Sequence, residues 1–165
     1  MTTPRRRMTR EKVLQVLYAH EISKDPIASV TVSLLADLQS NKEELAFAQK
    51  LVDEVVAHQE EIETLIKTKV AHWELDRIAV IDKMLLRMGI CELLYFQDIP
   101  PKVTINESIE IAKTFSTEKS GQFINGILDA VLEDLKSNHT LHKSGRGLIN
   151  TNIHQQPSPP SSPKK

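Results

Sequence analysis

The stretch LDRIAVIDKMLLRMGICELLYF, residues 75–96, decides the fold class, because its apolar residues fall on nearly every side of a helix. A surface helix carries a single apolar stripe, whereas a helix that is apolar almost all round is surrounded by other helices. The apolar positions are Ile78, Ile81, Met84, Leu85, Met88, Ile90, Leu93 and Leu94. The sequence therefore predicts a central helix from Leu75 to Phe96, which ends before Pro100 and Pro101.

Helical periodicity continues on both sides of this stretch, and no convincing set of alternating strands is present. Asn41 with Glu44 and Thr104 with Glu107 have the spacing of helix-start capping pairs. Further helices are expected over about residues 9–23, 32–38, 41–57, 60–70, 104–115 and 123–135. The prediction is an all-α protein, a single compact domain of about seven helices.

The segment FINGILD, residues 123–129, carries two conflicting signals. Asn-Gly between apolar residues is typical of a β-hairpin, yet Phe123, Ile127, Val131 and Leu135 continue at helical spacing well past the pair. We therefore expect a helix. Because glycine weakens a helix interior, we also expect Gly126 to allow close approach of a neighbouring helix.

Charge is segregated along the 165 residues, although the formal net charge is only −1. Residues 1–10 carry +4, residues 137–165 carry +4 without any acid, and the body between them carries −9. The C-terminal segment is also rich in Pro and Ser, so it cannot bury enough apolar area to offset its ordering entropy. This division predicts a basic N-terminal arm over residues 1–8, a helical domain over 9–136 and a disordered tail over 137–165.

The basic start contains Arg5, Arg6, Arg7 and Arg10. Such a charge run is often only a solvated terminus. Arg7 and Arg10, however, fall at the predicted start of the first helix, where positive charge opposes the helix dipole. Guanidinium groups beside free helix N-terminal amides suit phosphate oxygens. We therefore expect a local, salt-sensitive contact with single-stranded nucleic acid.

Signals for catalysis, cofactors or metals are absent from the sequence. No phosphate-binding loop, G-x-S-x-G or H-E-x-x-H motif occurs. His139 and His142 alone make too small a ligand set for a metal site. The single cysteine, Cys91, excludes an internal disulfide and fits a reducing compartment. No apolar run reaches the ~18 residues of a membrane span and no secretory leader is evident, so we expect a cytoplasmic protein that is not an enzyme.

Three segments resemble the NusB family of transcription antitermination factors: RRR-x-x-R followed by VLQVLY, the central WELDRIAVIDKMLLRMGICELLYF, and IPPKVTINESIEIAKTF followed by SGQFINGILD. The likeness covers about residues 4–135 in unbroken order. It implies a helical fold of two three-helix subdomains. It also implies an RNA-binding factor that pairs with NusE, a small-subunit ribosomal protein, on the boxA element of ribosomal RNA transcripts, within an RNA polymerase antitermination complex.

The resemblance also implies a set of site residues. Its RNA surface would join the arginine arm to a corner around Glu118, giving the RNA contacts Arg5, Arg6, Arg7, Arg10, Lys119, Ser120 and Gln122. Because the ribosomal protein is expected to be basic, the partner surface would include the acids Glu74, Asp76 and Asp82. Tyr18 is the further partner contact, since its apolar body and polar tip suit an interface as well as a core edge. A plain solvated surface is the alternative for each acid.

Two further side chains have competing interpretations. Phe123 could stack on a base, but its place in a helical stripe favours the core. Arg87 lies within the central helix, so we expect it to pair with a buried carboxylate such as Glu92 or Glu107.

Two other functions remain as alternatives. A protein-interaction module without direct RNA binding would use the arginines on an acidic partner. An RNA-modifying enzyme would need an α/β cofactor domain, for which no glycine-rich strand-to-helix turn is present. The sequence leaves open whether the free chain forms a homodimer.

Overall fold

The computed structural model describes residues 4–148 and confirms the all-helical prediction. Seven of its α-helices have eight or more residues, one has a single turn, and two short 3-10 turns complete the described part. The helices are α1 Arg5–Ser23, α2 Ile27–Leu34, α3 Lys42–Ala57, α4 Gln59–Lys67, α5 His72–Leu75, α6 Val80–Tyr95, α7 Pro101–Phe115 and α8 Glu118–Ser137. Over this described range, no helix is long and apolar enough to cross a membrane.

The central helix is α6, and eleven of its sixteen residues are buried. It begins later than the predicted Leu75, because the preceding residues form the one-turn helix α5. Its glycine, Gly89, explains how closely α8 packs on it: a Cβ there would lie 2.9 Å from Leu128 Cδ2. The close-approach role predicted for Gly126 was wrong, since nothing lies within 4 Å of where its Cβ would be.

The helices include two groups of three, and the central helix α6 belongs to the second group. In the first group α1 contacts α2 and α3, and in the second α6, α7 and α8 contact one another. Helices α1 and α3 also pack on α6, so the two groups share one hydrophobic core. Burial of this core, from Val13 on α1 to Leu135 on α8, is the main stabilising contribution.

Helix starts follow the predicted local chemistry only in part. The Asn41 side chain accepts a hydrogen bond from Glu44 N at 3.2 Å, which confirms it as the N-cap of α3. The capping box at Thr104 and Glu107 was wrong: α7 begins at Pro101, where a missing N–H costs nothing and the fixed φ suits a first turn. Helix α8 is capped by Thr117, whose hydroxyl accepts from Ser120 N at 3.0 Å.

The first helix begins at Arg5, four residues before the predicted start. Half of the predicted basic arm, residues 5–8, is therefore the first turn of α1, preceded by Pro4 as N-cap, and residues 1–3 lie outside the described residues. Neither a capping side chain nor an acid lies in this first turn. The leading N–H groups of α1 thus point outward without a helical acceptor.

Residues 138–148 depart from the predicted disordered tail, and we call them the strap. Ser144 N donates to Gln97 O at 3.0 Å, and Lys143 Nζ donates to Glu92 O and Phe96 O at 3.0 and 2.7 Å. A Cβ on Gly147 would overlap the backbone oxygen of Gln97. The strap therefore caps the C-terminal carbonyls of α6; the remainder of the predicted tail, residues 149–165, lies outside the described residues.

Titration of Lys143 should appear in the stability of the protein. Burial lowers the pKa of Lys143 to about 8, although the negative charges of Glu92 and Asp98 act to raise it. An unfolded lysine keeps its proton to about pH 10. Between about pH 8 and 10 the unfolded state therefore binds more protons, and this group's contribution to stability rises with pH.

The comparison variant for this prediction is Lys143→Met, which lacks the titrating group. Urea unfolding from about pH 8 to 10 should show the wild type gaining stability relative to Lys143→Met. A difference between the two proteins that does not change with pH would show that Lys143 stays fully charged in the strap.

Candidate nucleic-acid interface

Arg10 forms a buried, bidentate ion pair with Glu92. Its Nε and Nη2 donate to the two Glu92 oxygens at 3.0 and 2.7 Å, and the two residues are only 3% and 1% exposed. The Thr104 hydroxyl donates to the same carboxylate at 3.1 Å. Burial lowers the pKa of Arg10, but the charge of Glu92 and its hydrogen bonds outweigh burial and leave the pKa above its ordinary value.

This burial removes Arg10 from the surface that the sequence assigned to RNA. A phosphate could reach the guanidinium only by displacing Glu92 and leaving a carboxylate unpaired in the core, which is strongly unfavourable. The prediction of Arg10 as an RNA contact is therefore corrected to a structural role: the residue ties α1 to α6, and through Thr104 to α7.

Arg7 and Arg6 are also engaged, though less deeply. Arg7 donates from Nε and Nη2 to Glu107 on α7 at 2.7 and 3.0 Å, and this hydrogen bonding raises the pKa of Arg7. Arg6 Nε donates to Glu44 on α3 at 3.1 Å, while its Cζ lies 4.1 Å from the centroid of the Phe47 ring. Both arginines keep part of their surface in solvent.

Arg5 is the fully available cation of this group. It is exposed, and no ion pair to it is seen among residues 4–148. The start of α1 therefore combines one free guanidinium, two partly exposed ones and the outward N–H groups of its first turn. Such an arrangement can accept a phosphate oxygen.

The corner between α7 and α8 holds the other predicted RNA contacts. Lys119 and Gln122 are exposed on the first turns of α8. Ser120 is occupied instead, because its hydroxyl donates to Asp82 Oδ2 at 2.8 Å. Phe123 is 36% exposed beside them, so the prediction that favoured a core position was wrong.

The arm and the corner are connected through α7. Arg7 is bonded to Glu107 in the middle of that helix, and Ser116 follows its last residue. Nine positions at the helical rise correspond to about 13 Å. The two parts of the predicted RNA surface are thus held by one rigid element.

The predicted partner residues do not form one acidic face. Asp82 is only 6% exposed and its second carboxylate oxygen is buried without a hydrogen bond, so its assignment to a docking surface was wrong. Glu74 accepts from Ala71 N at 3.2 Å at the start of α5, and Asp76 is exposed. Tyr18 is 40% exposed, with the exposed Ile22 one turn further along α1.

Arg87 has the structural role expected of it, but with a different partner. Its Nε donates to Glu63 on α4 at 2.6 Å, and Glu21 on α1 lies 3.6 Å from its Nη1. The two acids predicted for it are taken by Arg10 and Arg7. A lone arginine in an apolar helix does predict a carboxylate partner, but apolar periodicity cannot say which carboxylate.

The described residues hold no group of three or more His, Cys, Asp or Glu side chains arranged for a metal ion. Cys91 is buried, and burial raises the pKa of its thiol far above the ordinary value.

Comparison with known proteins links this geometry to one family. The model of the NusB family matches residues 7–133. The transcription antitermination protein NusB of Chloroherpeton thalassium is 44% identical over 165 residues, covering 97% of this chain and 78% of the relative. That of Salinibacter ruber is 41% identical over 152 residues, covering 92% and 95%.

Solved structures show the same similarity. A NusB structure from T. maritima has a TM-score of 0.74 and 36% identity, covering 81% of this chain and 94% of that chain. A crystal structure of the antitermination factors NusB and NusE in complex with dsRNA has a TM-score of 0.72 and 27% identity, covering 78% and 96%.

Substitution of the arginines should separate structural from surface roles. Arg10→Ala leaves Glu92 charged and unpaired in the core and should cost about 3 to 5 kcal/mol of unfolding free energy. Arg6→Ala leaves the buried Glu44 with the Thr9 hydroxyl as a remaining partner and should cost about 1.5 to 3 kcal/mol. Urea denaturation followed by circular dichroism measures both.

The control is the double variant Arg10→Met with Glu92→Met, which removes both charges and should recover most of the loss. Equal, small losses for Arg10→Ala and Arg6→Ala would contradict the structural assignment of Arg10.

Proposed function

Because the chain belongs to the NusB family, we propose that it is a non-enzymatic, RNA-binding transcription antitermination factor that pairs with NusE on boxA RNA of ribosomal RNA transcripts. On this proposal it acts in the cytoplasm, within an RNA polymerase antitermination complex. The observation that carries the RNA part is the exposure of Arg5 on α1 and of Lys119, Gln122 and Phe123 on α8, two helices that both pack against α7.

Electrostatics favours a small, local RNA contact. The acidic body between residues 11 and 136 would repel a polyanion, so phosphates can approach only where cations reverse the local field. Arg5 and the open first turn of α1 form one such place, and Lys119 forms another. Arg6 and Arg7 add partial positive charge without leaving Glu44 and Glu107.

Phe123 favours single-stranded over double-stranded RNA. An exposed aromatic ring can stack on an unpaired base, and this contact is tolerant of sequence. Gln122 beside it offers both a donor and an acceptor for a base edge. Bases in an A-form duplex are stacked on one another and are not available for this contact.

The surface proposed for NusE combines apolar groups of α1 with an acidic group that follows α5. Tyr18 and Ile22 provide an aromatic and aliphatic pair of the kind enriched in protein interfaces. Asp76 offers negative charge to a basic ribosomal protein, whereas the buried Asp82 is left out of this proposal.

A protein-interaction module without direct RNA binding is the second candidate function. It is favoured by the finding that three of the four arginines already hold acids of the body. The salt dependence of RNA binding distinguishes the two functions, because only phosphate contacts release counterions.

The double variant Arg5→Ala with Lys119→Ala should lose two phosphate contacts. On a single-stranded boxA-type RNA, each contact contributes about 0.7 to the slope of log K against log salt concentration. The slope should therefore become shallower by about 1.4 in a fluorescence anisotropy titration.

Phe123→Leu is the matched comparison, since it removes stacking without charge. It should weaken binding by about 1 to 3 kcal/mol while leaving the slope unchanged. A wild-type protein that binds boxA RNA without salt dependence, or not at all, would support the protein-interaction module instead.

The NusE surface is tested separately. Tyr18→Ala should weaken binding to purified NusE by at least about 1 kcal/mol in calorimetry, as expected for an interface aromatic. Its circular dichroism should match the wild type because the ring is 40% exposed and lies outside the hydrophobic core. Unchanged NusE affinity would remove Tyr18 from the interface.

A further inference from the structure

Two phenylalanine rings beside the strap are contacted by the cations Arg6, Arg10 and Lys50. Phe47 of α3 and Phe96, which follows α6, meet edge to face with centroids 5.6 Å apart. Arg6 lies over the first ring, and Lys50 Nζ lies 4.4 Å from the centroid of the second. The strap adds Lys143, bonded to Phe96 O, and then Arg146 three residues later.

Two of these cations are available to a ligand. Lys50 and Arg146 are exposed, and no ion pair to either is seen in the described part of the chain. The nearby acids are Glu43 and Glu44, which face Arg6, and Asp98, which acts on Lys143. On α3, Asp53 and Glu54 lie three and four positions after Lys50, and Glu54 contacts His58. Lys50 and Arg146 therefore extend the positive field of the arm toward the strap.

The strap is held in place by contacts that are unusual for a solvated tail. Lys143 satisfies two carbonyls at the end of α6, and Gly147 is buried where no side chain would fit. Leu141 packs against the core. Ordering a polar segment costs conformational entropy, and these contacts fix Arg146 on the surface instead of leaving it free.

We propose that Lys50 and Arg146 form a second phosphate-contact patch, the strap patch, which binds the backbone of the same single-stranded RNA beyond Arg6. The inference rests on the RNA binding proposed above and extends it to a part of the chain that follows the last helix. Arg6 belongs to both surfaces, since it lies at the first turn of α1 and over the Phe47 ring.

The experiment compares salt dependence in the full-length protein. Lys50→Gln with Arg146→Gln should make the slope for a single-stranded boxA-type RNA shallower by about 1.4, as two phosphate contacts are lost. The matched control is Lys24→Gln with Lys67→Gln, which removes two exposed lysines at the C-terminal ends of α1 and α4. The control should keep the wild-type slope.

Two further variants test whether docking of the strap matters. Arg146→Lys keeps the charge and should keep the slope. Gly147→Ala would displace the strap from Gln97, so it should lose the Arg146 contact, about 0.7 in slope, without changing helix content. Because residue 147 lies after the last α-helix, circular dichroism of Gly147→Ala should show that the helical body remains folded.

The outcomes separate this inference from the proposed function. Suppose that Arg5→Ala with Lys119→Ala makes the salt slope shallower while the strap-patch variants keep the wild-type slope. The strap patch is then wrong and the RNA function stands. If the wild type shows no salt-dependent RNA binding, both are wrong. A wild-type salt slope in Gly147→Ala would show that docking of the strap is not needed for the Arg146 contact with RNA.

Discussion

The buried pair of Arg10 and Glu92 is the interaction on which the arrangement of the two helix groups depends. It connects α1 to α6 in the buried interior, and its carboxylate accepts a hydrogen bond from the Thr104 hydroxyl of α7. The backbone oxygen of the same Glu92 accepts from Lys143 of the strap. Because a buried charge is tolerated only with its partners in place, this pair fixes how α1 crosses the second helix group. The position of every residue at the start of α1 follows from it.

That constraint divides four neighbouring arginines into different roles. Arg10 faces inward, Arg7 and Arg6 bind Glu107 and Glu44 at the border of the core, and Arg5 faces solvent. A positive charge at a helix N-terminus opposes the dipole, but here the carboxylates of three other helices compensate for it. The same contacts hold the first turn of α1 in place before any ligand arrives. A pre-ordered surface of this kind loses less entropy on binding than a flexible arm.

Local patterns in the sequence were sufficient to predict the helices, but they were not sufficient to predict which distant residues pair. Apolar periodicity located α6 and α8, and the Asn41 cap located the start of α3, because these depend on residues within a turn or two. The pairs Arg10 with Glu92 and Arg7 with Glu107 join residues 82 and 100 positions apart, which no local pattern specifies. Phe123 and Asp82 were misplaced for the same reason: exposure is decided by which neighbouring helix covers a face. The strap was missed because Lys143 and Ser144 dock on backbone oxygens, which leave no compositional signal.

The central claim is that the first helix is fixed to the body before RNA binds. Hydrogen–deuterium exchange of the full-length protein, with and without single-stranded boxA-type RNA, tests it most directly. The account predicts that amides of residues 9–16 are already strongly protected in the free protein and change little with RNA, while added protection is confined to the exposed surfaces. Rapid exchange of those amides in the free protein, with protection only after RNA is added, would contradict it.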